Sequence, residues 1–309
     1  MKNKTIYGLA LLLLSVLFLG SCKNDLPVIK KRVAALDTAK GVVSTIASGK
    51  YNYITVDKSG NLYALRVNFG GTDSIFKFDA SGNKTLFYTP APVTDHDTLV
   101  TNTLTCLATD SSGNIYTEDY LGISSVNAIK ISPAGSASIL FTGLTYAGNY
   151  SYNKIAVDAL GNFYFSDFRG LFKIAAGTSS PMLLIQNGNI FAVDKNGNVF
   201  YSKGQIDVEK LSTTGAETVI VAPANITGYI YNMSCDVFGN VYVSSGTDLN
   251  AIIQKINVRD SLTTVINAPF GHVDGPVATA KIGIGTSLTT DVSGNLYFTE
   301  LSDLRKITF

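Results

Sequence analysis

One seven-residue pattern constrains this chain more than any other feature: Asp-x-x-Gly-Asn followed by an apolar and then an aromatic residue. It occurs six times, beginning at Asp57, Asp110, Asp158, Asp194, Asp236 and Asp291, with successive copies 36 to 55 residues apart. A period of about 40 to 50 residues is that of β-propeller blades, units that bury their faces only against their neighbours. The copies span most of the 309 residues, so the repeat has to be the architecture rather than an ornament on another fold.

The pattern has the chemistry of a hairpin turn. An Asp carboxylate accepts hydrogen bonds from nearby backbone N–H groups, and the Gly three residues on takes the positive φ that closes the turn. Gly60, Gly113, Gly161, Gly197, Gly239 and Gly294 are therefore read as structural, with their six aspartates. Ahead of each turn the residues alternate with period two, as a strand does. Apolar or bulkier residues (Ile54 and Val56 in the first copy) flank a smaller one: Thr55, Ala108, Ala156, Ala192, Ser234 or Thr289. A uniformly small second face suits the crowded innermost strand of a blade.

A second strand follows each turn, and then a third: Ile75–Phe78, Ala128–Ile131, Leu171–Ile174, Val208–Leu211, Ile252–Ile256 and Leu304–Ile307, each containing a lysine. A fourth is visible in the first five repeats only, because the sixth ends at Phe309. An open sheet edge is a liability, and Gly41–Ile46 has the composition to fill it. The expectation is an all-β, six-bladed propeller of four-stranded blades over residues 41–309, closed by its own first strand. Composition agrees: 16 Tyr, 16 Phe and 28 Gly with only 15% charged residues favour short, tightly turned strands.

With His272-Val-Asp274-Gly275-Pro276 ahead of the last blade, the units resemble the NHL-repeat propellers of bacterial lipoproteins. The resemblance covers about 270 residues and implies a fold, not a function, since such propellers host enzymes, adhesive modules and interaction modules.

Lys2 and Lys4 precede an apolar run, Gly8–Leu19, of signal-peptide length. It ends in Leu19-Gly20-Ser21-Cys22, which resembles the lipobox of bacterial lipoproteins. That resemblance implies a signal peptide over 1–21, cleavage before Cys22, and a diacylglycerol with further acyl chains, palmitate among them, on its thiol as the contact with the membrane. Residues 22–40 then read as a tether, and the location as the cell envelope, on a bacterial membrane, with the outer membrane expected. An ordinary cleaved signal peptide stays open as the alternative.

Removing Lys2 and Lys4 takes the net charge from +1 to −1. No basic stripe exists, which argues against nucleic-acid binding. In a propeller the turns after strand A emerge on one face and the ends of strand B on the other. Nine residues after each anchor aspartate stand Arg66, Asp119, Asp167, Lys203, Ser245 and Glu300. These six are the candidate ligand-binding ring, on the face away from the turns, with a solvated rim as the bland alternative.

Two long connections open on that face. Thr89–Thr103 carries Asp95, His96 and Asp97, weak candidates for a divalent cation such as calcium or zinc and otherwise a polar loop. Ala268–Gly285 carries His272 and Asp274, expected to be structural. Cys106 and Cys235 are expected as buried free thiols. No catalytic triad, nucleophile elbow or phosphate-cradling loop is present, and two histidines in the chain rule out a three-histidine zinc site. The leading expectation is a monomeric envelope binding module for a protein, peptide or glycan. The alternative is a metal-dependent hydrolase or lyase of the lactonase-like propeller kind, in which Asp119, Asp167, Glu300 and Asn153 would converge on the ion.

Overall fold

The computed structural model describes residues 41–309 apart from 69–70, 92, 96–97, 101–102, 122–124, 145–153 and 301–302. The expected signal peptide, Cys22 and the expected tether thus lie outside the described residues, as do His96, Asp97 and Asn153. The chain forms six antiparallel sheets that make the blades of a β-propeller. Blade 1 runs Tyr51–Val56, Leu62–Arg66, Ser74–Phe78 and Lys84–Tyr88, as strands A to D from the axis outward. Blades 2 to 5 repeat that order, with strand A at Thr103–Thr109, Ile155–Val157, Ile190–Val193 and Tyr229–Cys235.

Blade 6 is built from both ends of the chain. Ser287–Thr290, Leu296–Glu300 and Asp303–Thr308 supply strands A to C, and Val42–Ser48 supplies the fourth. Val42 pairs with Thr308 and Ser48 with Asp303, around a bulge between Thr45 and Ala47. A two-residue strand, Gly275–Pro276, then covers the outer edge of Val42 and Val43. The sixth sheet is therefore closed on the side the repeats leave open. Among the described residues no helix is long and apolar enough to cross a membrane.

In all six turns the anchor aspartate accepts the same three bonds from the turn backbone and the Asn side chain. In blade 1 the Asp57 carboxylate accepts the N–H groups of Ser59 (2.8 Å) and Asn61 (2.9 Å), the Asn61 side-chain amide (2.7 Å) and the Tyr63 hydroxyl (3.3 Å). Gly60 closes that turn at φ +80° and Gly294 its counterpart in blade 6 at +88°, values that cost a Cβ-bearing residue strain. The hairpins between strands C and D reuse the device with other residues. Asp79 accepts from Ser81 and Asn83 in blade 1, where the Asn83 bonds hold its carboxyl below the usual range.

Strand C adds a second repeated contact. Directly across from the motif's aromatic residue stands a lysine in every blade: Lys77 on Tyr63, Lys130 on Tyr116, Lys173 on Tyr164, Lys210 on Phe200, Lys255 on Tyr242 and Lys306 on Tyr297. Each ammonium lies 5.1 to 5.9 Å from the ring centroid, within cation–π range.

No single central core exists. The buried apolar side chains form six clusters, each at the seam between adjacent blades. At the seam of blades 6 and 1, for example, Tyr297 and Leu304 pack with Tyr51, Ile54 and Phe78. The hydrophobic effect thus binds blade to blade and leaves the axis free of a packed centre.

Candidate functional site: the axial channel

The strands A surround a cavity of about 320 Å³ on the propeller axis. Its walls are the second halves of all six strands A, and its mouth opens among the Asp-x-x-Gly-Asn turns, where Lys58 and Lys195 stand on opposite blades. Thr55, Ala108, Ala156, Ala192, Ser234 and Thr289 all lie along this wall. Their small size is what keeps the axis open.

Lys154 lines this cavity at the start of strand A in blade 3. Its Nζ donates to Asn232 Oδ1 (2.7 Å) and to the Met233 carbonyl, both on blade 5. Asn232 in turn donates to the carbonyl of Thr286 beside blade 6 (3.0 Å). Burial pushes the Lys154 ammonium down to about 7. The Cys235 and Cys106 thiols are free and pushed well up by burial, so they stay protonated and supply no counter-charge. Cys106 sits at φ +52° in the bulge of its strand.

The six candidate ring residues do not line the cavity. Each sits at or near the far end of strand B, and the side chains of Arg66, Asp167, Lys203 and Glu300 are engaged locally. The Arg66 guanidinium lies 5.5 Å from the centroid of the Phe76 ring. Asp167 is buried and accepts from the Arg169 backbone N–H (2.8 Å), Nε (2.9 Å) and Nη2. Lys203 Nζ is 3.5 Å from both Glu209 and Glu217. Asp119 and Ser245 are buried within strand B.

Glu300 is fully buried and accepts from Arg305, the Gly283 N–H and His272 Nδ1 (3.0 Å). That carboxylate belongs to the closure of the ring, not to an open face. Burial raises its pKa even against these partners. His272 and Asp274 serve the same closure, through Thr45 (3.2 and 3.0 Å).

Asp95 lies in a short hairpin, Val93–Asp95 against Thr98–Val100, rather than in an irregular loop. Among the described residues no group of three or more His, Cys, Asp or Glu is placed to hold a metal ion. The aspartates around the cavity mouth fit one poorly, because their oxygens already accept the turn's hydrogen bonds; Asp158, for one, takes four. The divalent cation expected as an alternative thus finds no donor set among the described residues.

No known family profile matches the sequence, and no curated protein matches it. Solved structures match the fold. A protein of unknown function from Bacteroides thetaiotaomicron aligns with 16% identity and a TM-score of 0.62, covering 87% of this chain and 76% of that one. A gluconolactonase from Xanthomonas campestris aligns at 13% identity and 0.61, covering 87% and 91%. A calcium-binding regucalcin from Agrobacterium tumefaciens aligns at 12% and 0.57, covering 87% and 93%. At such identities the likeness is one of fold: a six-bladed propeller of the kind found in gluconolactonase and regucalcin.

Proposed function

We propose that this protein is a binding module that receives a small ligand, or the tip of a peptide or glycan, in the axial cavity on the turn face of the propeller. The observation that carries the reading is the cavity itself. It is walled by six small residues from six blades, with an amine at one end held by two hydrogen bonds across the axis. Its volume lies at the lower end of the range for ligand pockets, about 300 to 1,000 Å³.

In this reading the domain acts as a monomer and is held at the bacterial envelope, on the outer membrane, by lipid on Cys22, with residues 22–40 as its tether. The lipobox-like Leu19–Cys22 and the apolar run before it support that placement. Metabolic labelling with a clickable palmitate analogue tests it: the full-length chain takes up label and its Cys22→Ser variant does not.

A second reading, hydrolysis or elimination at the channel, is supported by the fold likeness to a gluconolactonase and to a streptogramin B lyase. One experiment separates the two. A fragment library is screened by ligand-observed NMR against the full-length protein and its Ala192→Leu variant, which fills the cavity, and lactone turnover is followed with calcium, zinc or a chelator. Binding lost in Ala192→Leu without turnover supports the module. Metal-dependent turnover, or fragments that bind the filled variant equally well, overturns it.

A further inference from the structure

Lys154 has no part in the repeat. Strand A of the other blades carries no lysine at the matching position, four residues before the anchor aspartate, where Tyr53, Cys106, Ile190, Asn232 and Ser287 stand instead. The chain thus places a single cationic side chain inside the channel at this level. Lys154 is half-buried, and an ammonium withdrawn from water in this way is costly without a charged partner.

Among the described residues the titratable neighbours of Lys154 are the thiols of Cys235 and Cys106, and burial keeps both of them neutral. The carboxylates beyond them act on the thiols: Glu118, to which Thr105 donates, on Cys106, and Asp194 and Asp236 on Cys235. Lys154 instead has two neutral acceptors, Asn232 Oδ1 and the Met233 carbonyl. Two acceptors match the two N–H donors of a neutral amine and leave its lone pair, whereas an ammonium would bring a third donor.

We infer that Lys154 is a carbonyl-capturing amine: the axial cavity admits a small aldehyde or ketone, and Lys154 Nζ holds it as an imine. The inference rests on the channel being a ligand cavity, as proposed above. Nζ attacks the carbonyl carbon and the C–O π pair moves to oxygen, which takes up a proton. That oxygen leaves as water and the C=N bond forms. Both N–H hydrogens of the neutral amine end in the water released, so no oxidant or reductant enters. A proton gained by the imine nitrogen leaves one N–H for Asn232 or Met233.

Burial supplies the reactivity. An ordinary lysine, with a pKa near 10.4, is neutral in fewer than about one molecule in a thousand at pH 7. An amine lowered to about 7 is neutral in about half, and a neutral amine in an apolar pocket is a nucleophile. The cavity mouth at Lys58 and Lys195 gives internal controls, since both side chains are exposed and share the same solvent.

The test uses the full-length protein at pH 7 with glyceraldehyde and sodium cyanoborohydride, followed by digestion and mass spectrometry of each lysine peptide. The expected result is reductive alkylation of Lys154 at least about tenfold faster than of the exposed Lys58 or Lys195. Comparison within one folded molecule removes any dependence on a variant that fails to fold. Equal or slower labelling of Lys154 overturns the inference.

A parallel arm measures protection of Cys235, which lines the same cavity, from methyl methanethiosulfonate by glyceraldehyde without reductant. Protection with Lys154 unlabelled overturns the imine and leaves the ligand cavity standing. Absence of both labelling and protection overturns the imine, and the cavity-filling Ala192→Leu comparison then decides the proposed function separately.

Discussion

Asp274 accepts both the backbone N–H (2.9 Å) and the hydroxyl (3.0 Å) of Thr45, a residue 229 positions earlier in the chain. The same carboxylate lies 2.9 Å from Arg305 Nη2, whose Nη1 reaches Glu300. One buried guanidinium therefore joins the last strand, the second strand of blade 6 and the connection that clasps the first strand. Removing it leaves Glu300 a buried carboxylate without its cation, which costs about 3–5 kcal/mol. Arg305→Met is expected to lose that much in urea unfolding, and Glu300→Gln/Arg305→Met to recover a large part of it. Equal losses in the single and double variants would show that packing, not charge, holds the closure.

The turns allow a comparison between blades. Asp158 accepts from Leu160 N, Asn162 N, Asn162 Nδ2 and Tyr164 Oη at 2.7 to 3.0 Å. Asp194 makes the first three of these bonds, but Phe200 stands where the tyrosine would be. Asp158→Ala is expected to cost about 2–4 kcal/mol and Asp194→Ala about 1–2 kcal/mol less, since a hydrogen bond to a charged group contributes roughly 1.5–3. Thermal unfolding of the two variants, with Tyr164→Phe as the bridging control, checks the difference.

Stability should rise with pH just above neutrality. The Lys154 pKa is lowered to about 7 in the fold from an ordinary value near 10.5. Between the two the unfolded chain binds the proton and the native state does not, so raising the pH favours the native state. The contribution reaches at most about 1.4 kcal/mol per pH unit. Above about pH 8.5 the two thiols work in the opposite sense, because burial keeps them protonated in the fold while the unfolded chain ionises them. Urea midpoints from pH 7 to 8.5 should therefore climb in the parent protein and stay flat in Lys154→Met.

The two described thiols should differ in access. Cys235 is half-buried on the cavity wall, whereas Cys106 is buried behind it. Methyl methanethiosulfonate is expected to modify Cys235 in the native protein, slowly because burial raises its pKa, and Cys106 only after unfolding. Mass spectrometry of the two cysteine peptides over time reads the order.

Strand A, its turn and the closing strand were legible in the sequence because each is a local pattern with one physical solution: period-two alternation, an Asp–Gly turn, and an edge needing a partner. The turns between strands C and D were not, since Asp79, Ser132, Ser212 and Asn257 begin them with different residues, although each side chain accepts the N–H four residues on. The ring at the ends of strand B was legible as position but not as chemistry. Nothing in the residue types shows that Asp167 is met by Arg169 two residues on, or Glu300 by Arg305 five on. The cavity was visible as the small face of strand A and read as crowding, when the same small residues also leave room. Lys154 carried a signal that pattern reading passes over: the one place where a repeated strand breaks its own habit with a charge.

Because Val42–Ser48 pairs with Asp303–Thr308, the strand of the domain that is made first stays without its partner until Asp303–Thr308 has been synthesised. Until then five blades can form in turn, but the sixth exposes an unsatisfied edge and the ring stays a split washer. While the ring is open such an edge is the segment most prone to pair with a stranger. Truncation just before Asp303 would remove the pairing partners of Val42 to Ser48 while leaving every anchor aspartate in place, which makes Asp303–Thr308 the quality check on the ring.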